Sequence, residues 1–192
     1  MRPVAVAITG GIGAGKTEAL KSFSRHGAAT ISSDDIVHQL LREDAEVRAA
    51  LLERFGTGIL DDAGNVDRAA ISRIVFDDRD ALAWLEALLH PRTRAAVDAW
   101  VKQVDAPLAA VEIPLLYETG GESRFDAVVV ITAPPGTRSA RRAPADGRES
   151  RLIPDEEKVA RADFAYVNDG SLEALDDFVT VVLEKLLSSS AG

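Results

Sequence analysis

The stretch VAVAITGGIGAGKTEALKSF, Val4 to Phe23, decides the fold. Its middle, Gly10-Gly11-Ile12-Gly13-Ala14-Gly15-Lys16-Thr17, has the spacing G-x-x-x-x-G-K-[ST], with an apolar run before it and helix-forming residues after it. Each residue type answers a physical need. Glycines let the backbone curl until successive N–H groups point inward at phosphate oxygens, which a Cβ would obstruct. A helix starting near Gly15 adds the positive end of its dipole. Lys16 places a point charge on the β- and γ-phosphates of a nucleoside triphosphate, and the Thr17 hydroxyl is the expected Mg²⁺ ligand. Gly11, Ile12, Gly13, Ala14, Gly15, Lys16, Thr17 and Glu18 are the expected ATP-binding residues. Glu18 suits a first helical turn but brings negative charge near a polyphosphate.

The 192 residues suffice for a substantial core and one folding unit with embellishments. With 31 acidic and 22 basic residues the formal net charge is −9, so positive charge for a polyphosphate has to be concentrated locally. General nucleic-acid binding, which needs an extended basic surface, is not expected. The chain has no cysteine, hence neither disulfides nor thiolate chemistry. No apolar run is long enough to cross a bilayer, and the first residues read as a strand rather than a signal sequence. A cytoplasmic monomer is the expectation.

Apolar runs alternate with helical text, the pattern of a parallel sheet wrapped by helices. Strands are predicted at Val4–Thr9, Ala28–Ile31, Leu108–Ile113, Ala127–Thr132 and Phe164–Val167. Helices are predicted at Lys16–His26, Asp34–Arg42, Ala45–Phe55, Arg68–Phe76, Asp80–Lys102 and Leu172–Leu187. Between the second and third strands lies a helical insertion, roughly Asp34 to Gln103, where a simple crossover needs only about a dozen residues. A second-substrate domain is the natural proposal for it. Pro91 should break or kink its long helix after His90. An irregular zone from Pro134 to Pro154 holds Arg138, Arg141, Arg142, Arg148 and Arg151 and no lysine. It reads either as a lid that closes over the triphosphate or as a solvated charged loop.

Two carboxylates stand where such sheets place ligands, beyond the carboxyl ends of the strands. Asp34 follows the second strand and would face the phosphate loop at the end of the neighbouring first strand, as base or orienting group for an acceptor hydroxyl. The competing reading is helix capping, with Ser32 and Asp35 fitting S-x-x-[DE]. Glu112 ends the third strand, either as a metal-holding carboxylate or as an incidental acid. Asp61-Asp62-Ala63-Gly64 contains the D-x-x-G of a nucleotide switch but sits in turn-rich text.

The chain resembles the dephospho-CoA kinases. The resemblance runs from the phosphate loop through Ile31 to Gln39, Val66-Asp67-Arg68, Phe76, Leu88-Leu89-His90-Pro91 and Ile113-Pro114-Leu115-Leu116-Tyr117-Glu118. It continues through Val130 to Pro135, Arg141, Glu156-Glu157-Lys158, Arg161-Ala162-Asp163 and Asn168-Asp169-Gly170. It implies a P-loop NTPase fold of the α/β class: a five-stranded parallel sheet with helices on both faces, a helical substrate domain and a short lid. The implied boundaries are 1–33, 104–136 and 162–192 for the nucleotide-binding core, 34–103 for the CoA-substrate domain and 137–161 for the lid.

The resemblance also implies roles. Asp34, Lys16 and Arg141 would be catalytic. Asn168 and Gly170 would lie where the family holds the adenine of ATP. Asp34, Arg68, His90 and Pro114 would meet dephospho-CoA, and Thr17 would hold Mg²⁺. The implied reaction is transfer of the γ-phosphate of ATP to the ribose 3′-hydroxyl of dephospho-CoA, the last step of coenzyme A biosynthesis. Ser32 departs from the family by replacing the first aspartate of its Asp-x-Asp pair, Glu18 replaces a small hydroxyl residue, and Leu152 stands where a glutamine is usual. The lid is short, leaving Arg148 and Arg151 as further lid candidates. The rival expectations are another small-molecule kinase on the same scaffold, a GTP-dependent switch and a catalytically dead ATP-binding module.

Overall fold

The computed structural model describes residues 2–140 and 152–189. These residues fall into two compact units, one from Met1–Ser32 and Val101–Gly192, the other from Ser33–Trp100.

The first unit is a five-stranded sheet of β1 (Val4–Thr9), β2 (Ala29–Ser32), β3 (Leu108–Glu112), β4 (Ala127–Thr132) and β5 (Phe164–Val167). All pairings are parallel, in the order β2-β3-β1-β4-β5. β3 and β4 are buried along their whole length, which is why they read as unbroken apolar runs. β5, at an edge, alternates between half-buried and exposed residues. The order corrects one expectation: β2 does not neighbour β1, because β3 lies between them. The connection through α1 (Lys16–Arg25) skips one position, and the chain returns after the long insertion to fill it.

The period-two pleat sorts the core into two faces. On one, Val6, Ile8, Leu108, Ala110, Val129 and Ile131 pack with Ala19 and Phe23 of α1 and with Leu175, Val179, Val182 and Leu183 of α8 (Leu172–Ser189). On the other, Ala7, Val128 and Val130 pack with Leu116 and Tyr117, with Ile113, Phe125, Ile153 and Ala162 alongside. Two short helices, α6 (Pro135–Ala140) and α7 (Asp155–Ala160), flank the undescribed segment, so the zone expected to be irregular from Pro134 onward begins with a helical turn and a half.

The second unit contains α2 (Ser33–Glu43), α3 (Ala45–Phe55), α4 (Arg68–Asp77) and most of α5 (Arg79–Gln103). Carboxylates just before the helices take up their orphan N–H groups. Asp44 accepts from Glu46 and Val47, Asp67 from Ala69, and Asp78 from Asp80 and Ala81. The core of this unit gathers Leu41, Val47, Leu51, Ile59, Ile71 and Leu89, and Phe55 meets Trp84 edge-on at 5.4 Å between centroids.

Of the break or kink expected after His90, there is no break: α5 runs for 25 residues with Pro91 inside it. Proline leaves one carbonyl of the preceding turn without its N–H. The carbonyl so freed is that of Ala87; one residue further on, Arg92 Nη1 donates to the Leu88 carbonyl at 3.1 Å. The D-x-x-G tetrapeptide is a turn. Asp61 accepts the Ala63 and Asn65 N–H groups, Gly64 has φ +80°, and Leu60 bridges to Val66.

α8 is tied to α1 by one carboxylate. Asp176 accepts from Ser22 Oγ and Arg25 Nη2, both at 2.5 Å, and faces His26 Nε2 at 3.0 Å. The Ser22 and Arg25 hydrogen bonds, then His26, hold its carboxyl well below the ordinary value of 3.8. A depressed acid contributes stability above its unfolded-state pKa, and loses it as pH falls through the folded-state value. Asp176→Asn should therefore lower the melting temperature at neutral pH, and the gap to the unsubstituted protein should narrow below about pH 3.8. Calorimetry across that range is the check; a gap independent of pH would show that the charge is not what matters.

Candidate functional site

Three strands deliver the site. At the end of β1, Ile8 lies opposite Glu112, the last residue of β3, and Thr9 opposite Val130, beyond which β4 runs on to Thr132. The chain leaves β1 through Gly10, whose φ of +139° only glycine adopts readily. A Cβ there would stand 1.8 Å from the Ile131 carbonyl oxygen. Gly13 and Gly15 are also left-handed, at φ +75° and +99°. Gly15 caps α1 with no side-chain hydrogen bond, so no side chain occupies the first N–H groups of the helix. These are the conditions for an anion cradle.

Lys16 is buried, its Nζ donating to the Gly10 and Gly11 carbonyls at 3.1 and 2.9 Å. The ammonium is thus held directly over the loop. Thr17 is exposed, and its Oγ1 donates to Glu112 Oε2 at 3.3 Å, with Glu112 itself buried. Glu112, left undecided by the sequence, is the carboxylate that the intervening strand β3 brings to the loop. Among the described residues no group of three or more His, Cys, Asp and Glu could hold a metal. A hydroxyl beside one carboxylate is a sparse set of hard oxygen donors. That suits Mg²⁺, which keeps waters and shares phosphate oxygens, and not a zinc cage. Glu18 turns to Lys21 at 2.7 Å on the surface of α1, which offsets its charge near the loop.

Ala14 sits in the core, so it can present backbone alone. Asn168 is buried beneath the loop, its Nδ2 donating to the Ala14 carbonyl at 2.8 Å and its N–H to the Thr132 carbonyl at 2.7 Å. It braces the cradle from below. Gly170 lies exposed before α8. Pro114 accepts from Thr9 Oγ1 at 3.4 Å in the turn after β3.

Beside the loop opens a cavity of about 660 Å³, walled by Gly11, Ile12, Thr132–Pro135, Arg138, Leu152–Glu156, Val159 and Val167. Proline and valine side chains make much of its wall apolar, as a nucleoside base requires. Arg138 pairs with Asp155 at 3.0 Å on its rim. Arg138 belongs to the arginine-rich zone that reads as a lid or a solvated loop, whereas no local pattern marks Asp155. Their pairing depends on α6 and α7 approaching each other from opposite ends of the undescribed segment.

Behind this wall lies a buried ion pair. Lys158 has no exposed surface, and its Nζ is 2.8 Å from Glu118 Oε1, which also accepts the Ile153 N–H at 3.0 Å. Glu118 thereby joins the turn after β3 to the cavity wall. The adjoining Tyr117 is buried, which raises the pKa of its hydroxyl, while the Arg161 guanidinium 4.3 Å above its ring acts in the opposite direction. Arg161 in turn pairs with Glu122.

Asp34, Arg68 and His90 belong to the helical unit. Asp34 is exposed in the first turn of α2, Arg68 is the exposed first residue of α4, and His90 is half-buried on α5. Arg141, Arg142, Arg148 and Arg151 lie outside the described residues.

The family model of dephospho-CoA kinase matches residues 4–174. A dephospho-CoA kinase of Mesorhizobium japonicum is 37% identical over 95% of this chain and 96% of its own. The chain belongs to the dephospho-CoA kinase family. Dephospho-CoA kinase from Campylobacter jejuni superposes with a TM-score of 0.74 at 27% identity, covering 97% of this chain and 98% of that one. The crystal structure of TT1252 from Thermus thermophilus gives a TM-score of 0.81 at 33% identity, covering 97% and 99%. The five-stranded parallel architecture is therefore that of an ATP-dependent P-loop kinase. Among the described residues no helix is long and apolar enough to cross a membrane.

Within this kinase several motif residues serve architecture. Asp163 of the Arg161-Ala162-Asp163 segment accepts the Val128 N–H at 2.8 Å and donates its own N–H to the Val128 carbonyl, fixing the start of β4. Glu118 and Lys158 are the buried pair. Lys158→Met should lower the unfolding free energy by about 3–5 kcal/mol, because it strands the Glu118 charge. Adding Glu118→Gln to it should recover part of that loss. Urea denaturation of the single and double variants tests both statements; equal losses would mean that packing, not charge, dominates.

Proposed function

We propose that this kinase transfers the γ-phosphate of ATP in line to the ribose 3′-hydroxyl of dephospho-CoA, completing coenzyme A. The Thr17–Glu112 contact beside a fully formed anion cradle carries the reading. It unites the parts that phosphoryl transfer needs in a chain that its family matches almost end to end.

The roles follow from the chemistry of each group. The loop N–H groups and the start of α1 receive the phosphates without any reorganisation of the backbone. Lys16 exchanges the Gly10 and Gly11 carbonyls for phosphate oxygens, so its ammonium keeps hydrogen-bond acceptors in both arrangements. Thr17 and Glu112 are the residues that would hold Mg²⁺, whose charge would offset that of the β- and γ-phosphates. The base of ATP lies against the apolar wall of the 660 Å³ cavity. Asp34 orients the acceptor hydroxyl and takes its proton, with Arg68, His90 and Pro114 engaging dephospho-CoA. Arg141 meets the transferring phosphoryl group. The kinase acts as a cytoplasmic monomer.

Incubation with MgATP and dephospho-CoA should yield ADP and a product whose new phosphate NMR places on the ribose 3′ carbon. Transfer to another alcohol in a substrate panel, with none to dephospho-CoA, would favour a different small-molecule kinase. Asp34→Asn should bind both substrates yet turn over slowly, and a fast Asp34→Asn enzyme would remove the base assignment. Arg141→Ala should reduce kcat by about 10³-fold or more while changing ATP affinity far less. Pre-steady-state kinetics separates the two effects.

A further inference from the structure

The Arg138–Asp155 ion pair is built against the phosphate loop. A Cβ added to Gly11 would lie 2.7 Å from Arg138 Nη1 and 3.1 and 3.2 Å from the two Asp155 carboxylate oxygens. Both charged groups therefore rest on the bare Cα of the second loop glycine. The backbone beneath them is equally close: a Cβ on Gly13 would stand 3.0 Å from the Arg138 carbonyl oxygen and 3.3 Å from its Cα. Helix α6 is thus docked backbone to backbone on the cradle, which fixes the origin of the Arg138 side chain. Its side chain is 26% exposed and that of Asp155 18%, so the pair is partly shielded from water. Both line the cavity that opens beside Gly11 and Ile12.

This placement sets a charge problem. A polyphosphate entering the cradle meets a carboxylate on its rim, and like charges in a partly dry site repel. The same rim carries a guanidinium. Among the described residues its side-chain hydrogen bonding is one contact, Nη1 to Asp155 Oδ2 at 3.0 Å. A planar guanidinium with five donors binds phosphate as readily as carboxylate.

We infer that Arg138 is a further nucleotide-phosphate residue of this site and that Asp155 is the counter-ion from which the polyphosphate draws it. Asp155 acts through Arg138 and is a positioning residue. It keeps the guanidinium ordered over Gly11, and it lowers ATP affinity by the cost of breaking the pair. The exchange rests on the kinase reading only in requiring that ATP occupy the cradle; it involves neither dephospho-CoA nor the acceptor-side residues.

The test is calorimetric titration of the full chain with MgATP and, separately, with adenosine, which has a base but no phosphate. Arg138→Gln should weaken MgATP by about tenfold or more, the scale of one lost hydrogen bond to a charged group. Asp155→Asn should tighten MgATP several-fold. The double variant should recover part of the affinity lost in Arg138→Gln, because it also removes the carboxylate that faces the polyphosphate. Adenosine affinity should stay constant throughout. A merely structural pair would not give opposite signs, since each single variant breaks the same contact. If Asp155→Asn binds MgATP no more tightly than the unsubstituted chain, or if Arg138→Gln binds it equally well, the exchange is overturned. Should Asp155→Asn fail to fold, Asp155→Ser carries the same expectations. An unsubstituted chain that binds no MgATP overturns the kinase reading itself, an outcome distinct from the others.

Discussion

Gly10 has room for a hydrogen atom and nothing more between β1 and the carbonyl of Ile131. That near-contact is where a parallel sheet becomes a binding site. β1 and β4 pair in register up to Thr9 and Val130, so the next residue of β1 must turn away while pressed against its neighbour. The left-handed turn it makes sends the following residues over the ends of the strands. The cradle of N–H groups, the entry angle of α1 and the position of Lys16 all follow from it. A side chain at this position would displace the loop from β4, and the functional groups downstream would move with it.

The second constraint is electrostatic. A chain of net charge −9 has to receive a polyanion, and it does so by local compensation. Three carboxylates close to the cradle each meet a partner: Glu112 receives the Thr17 hydroxyl, Glu18 meets Lys21, and Asp155 meets Arg138. The remaining positive potential comes from backbone amides and the start of α1, which add no net charge. Lys16 follows the same logic, with its ammonium buried but lodged on two carbonyls.

Several residues that mark the family are concerned with holding this arrangement still. Asn168 braces the phosphate loop through the Ala14 carbonyl, Asp163 fixes the beginning of β4, and Glu118 with Lys158 fastens the turn after β3 to the wall of the cavity. The buried members of this set, Asn168 and Lys158, favour one geometry because moving them would part them from the groups they meet. A loop expected to touch adenine therefore contributes, through Asn168, a strut directed at the protein's own backbone.

Local text determined a great deal of this protein. The phosphate loop, the five strands and the six longer helices are all legible because each rests on short-range causes: glycine conformations, period-two and period-3.6 burial, and capping residues. The departures arise where partners distant in sequence decide. Pro91 should break or kink α5, yet the helix is unbroken, held by the packing of Leu85, Leu88 and Leu89 in the core of the helical unit. The slot between β1 and β2 could not be read from strand text, since β3 enters it after an insertion of some seventy residues, and only that order brings Glu112 to Thr17. The Arg138–Asp155 pair is likewise a product of tertiary structure: Arg138 reads in the sequence as either a lid arginine or solvated charge, Asp155 carries no signal there, and their pairing exists only because both land on the one glycine whose missing side chain leaves space for them.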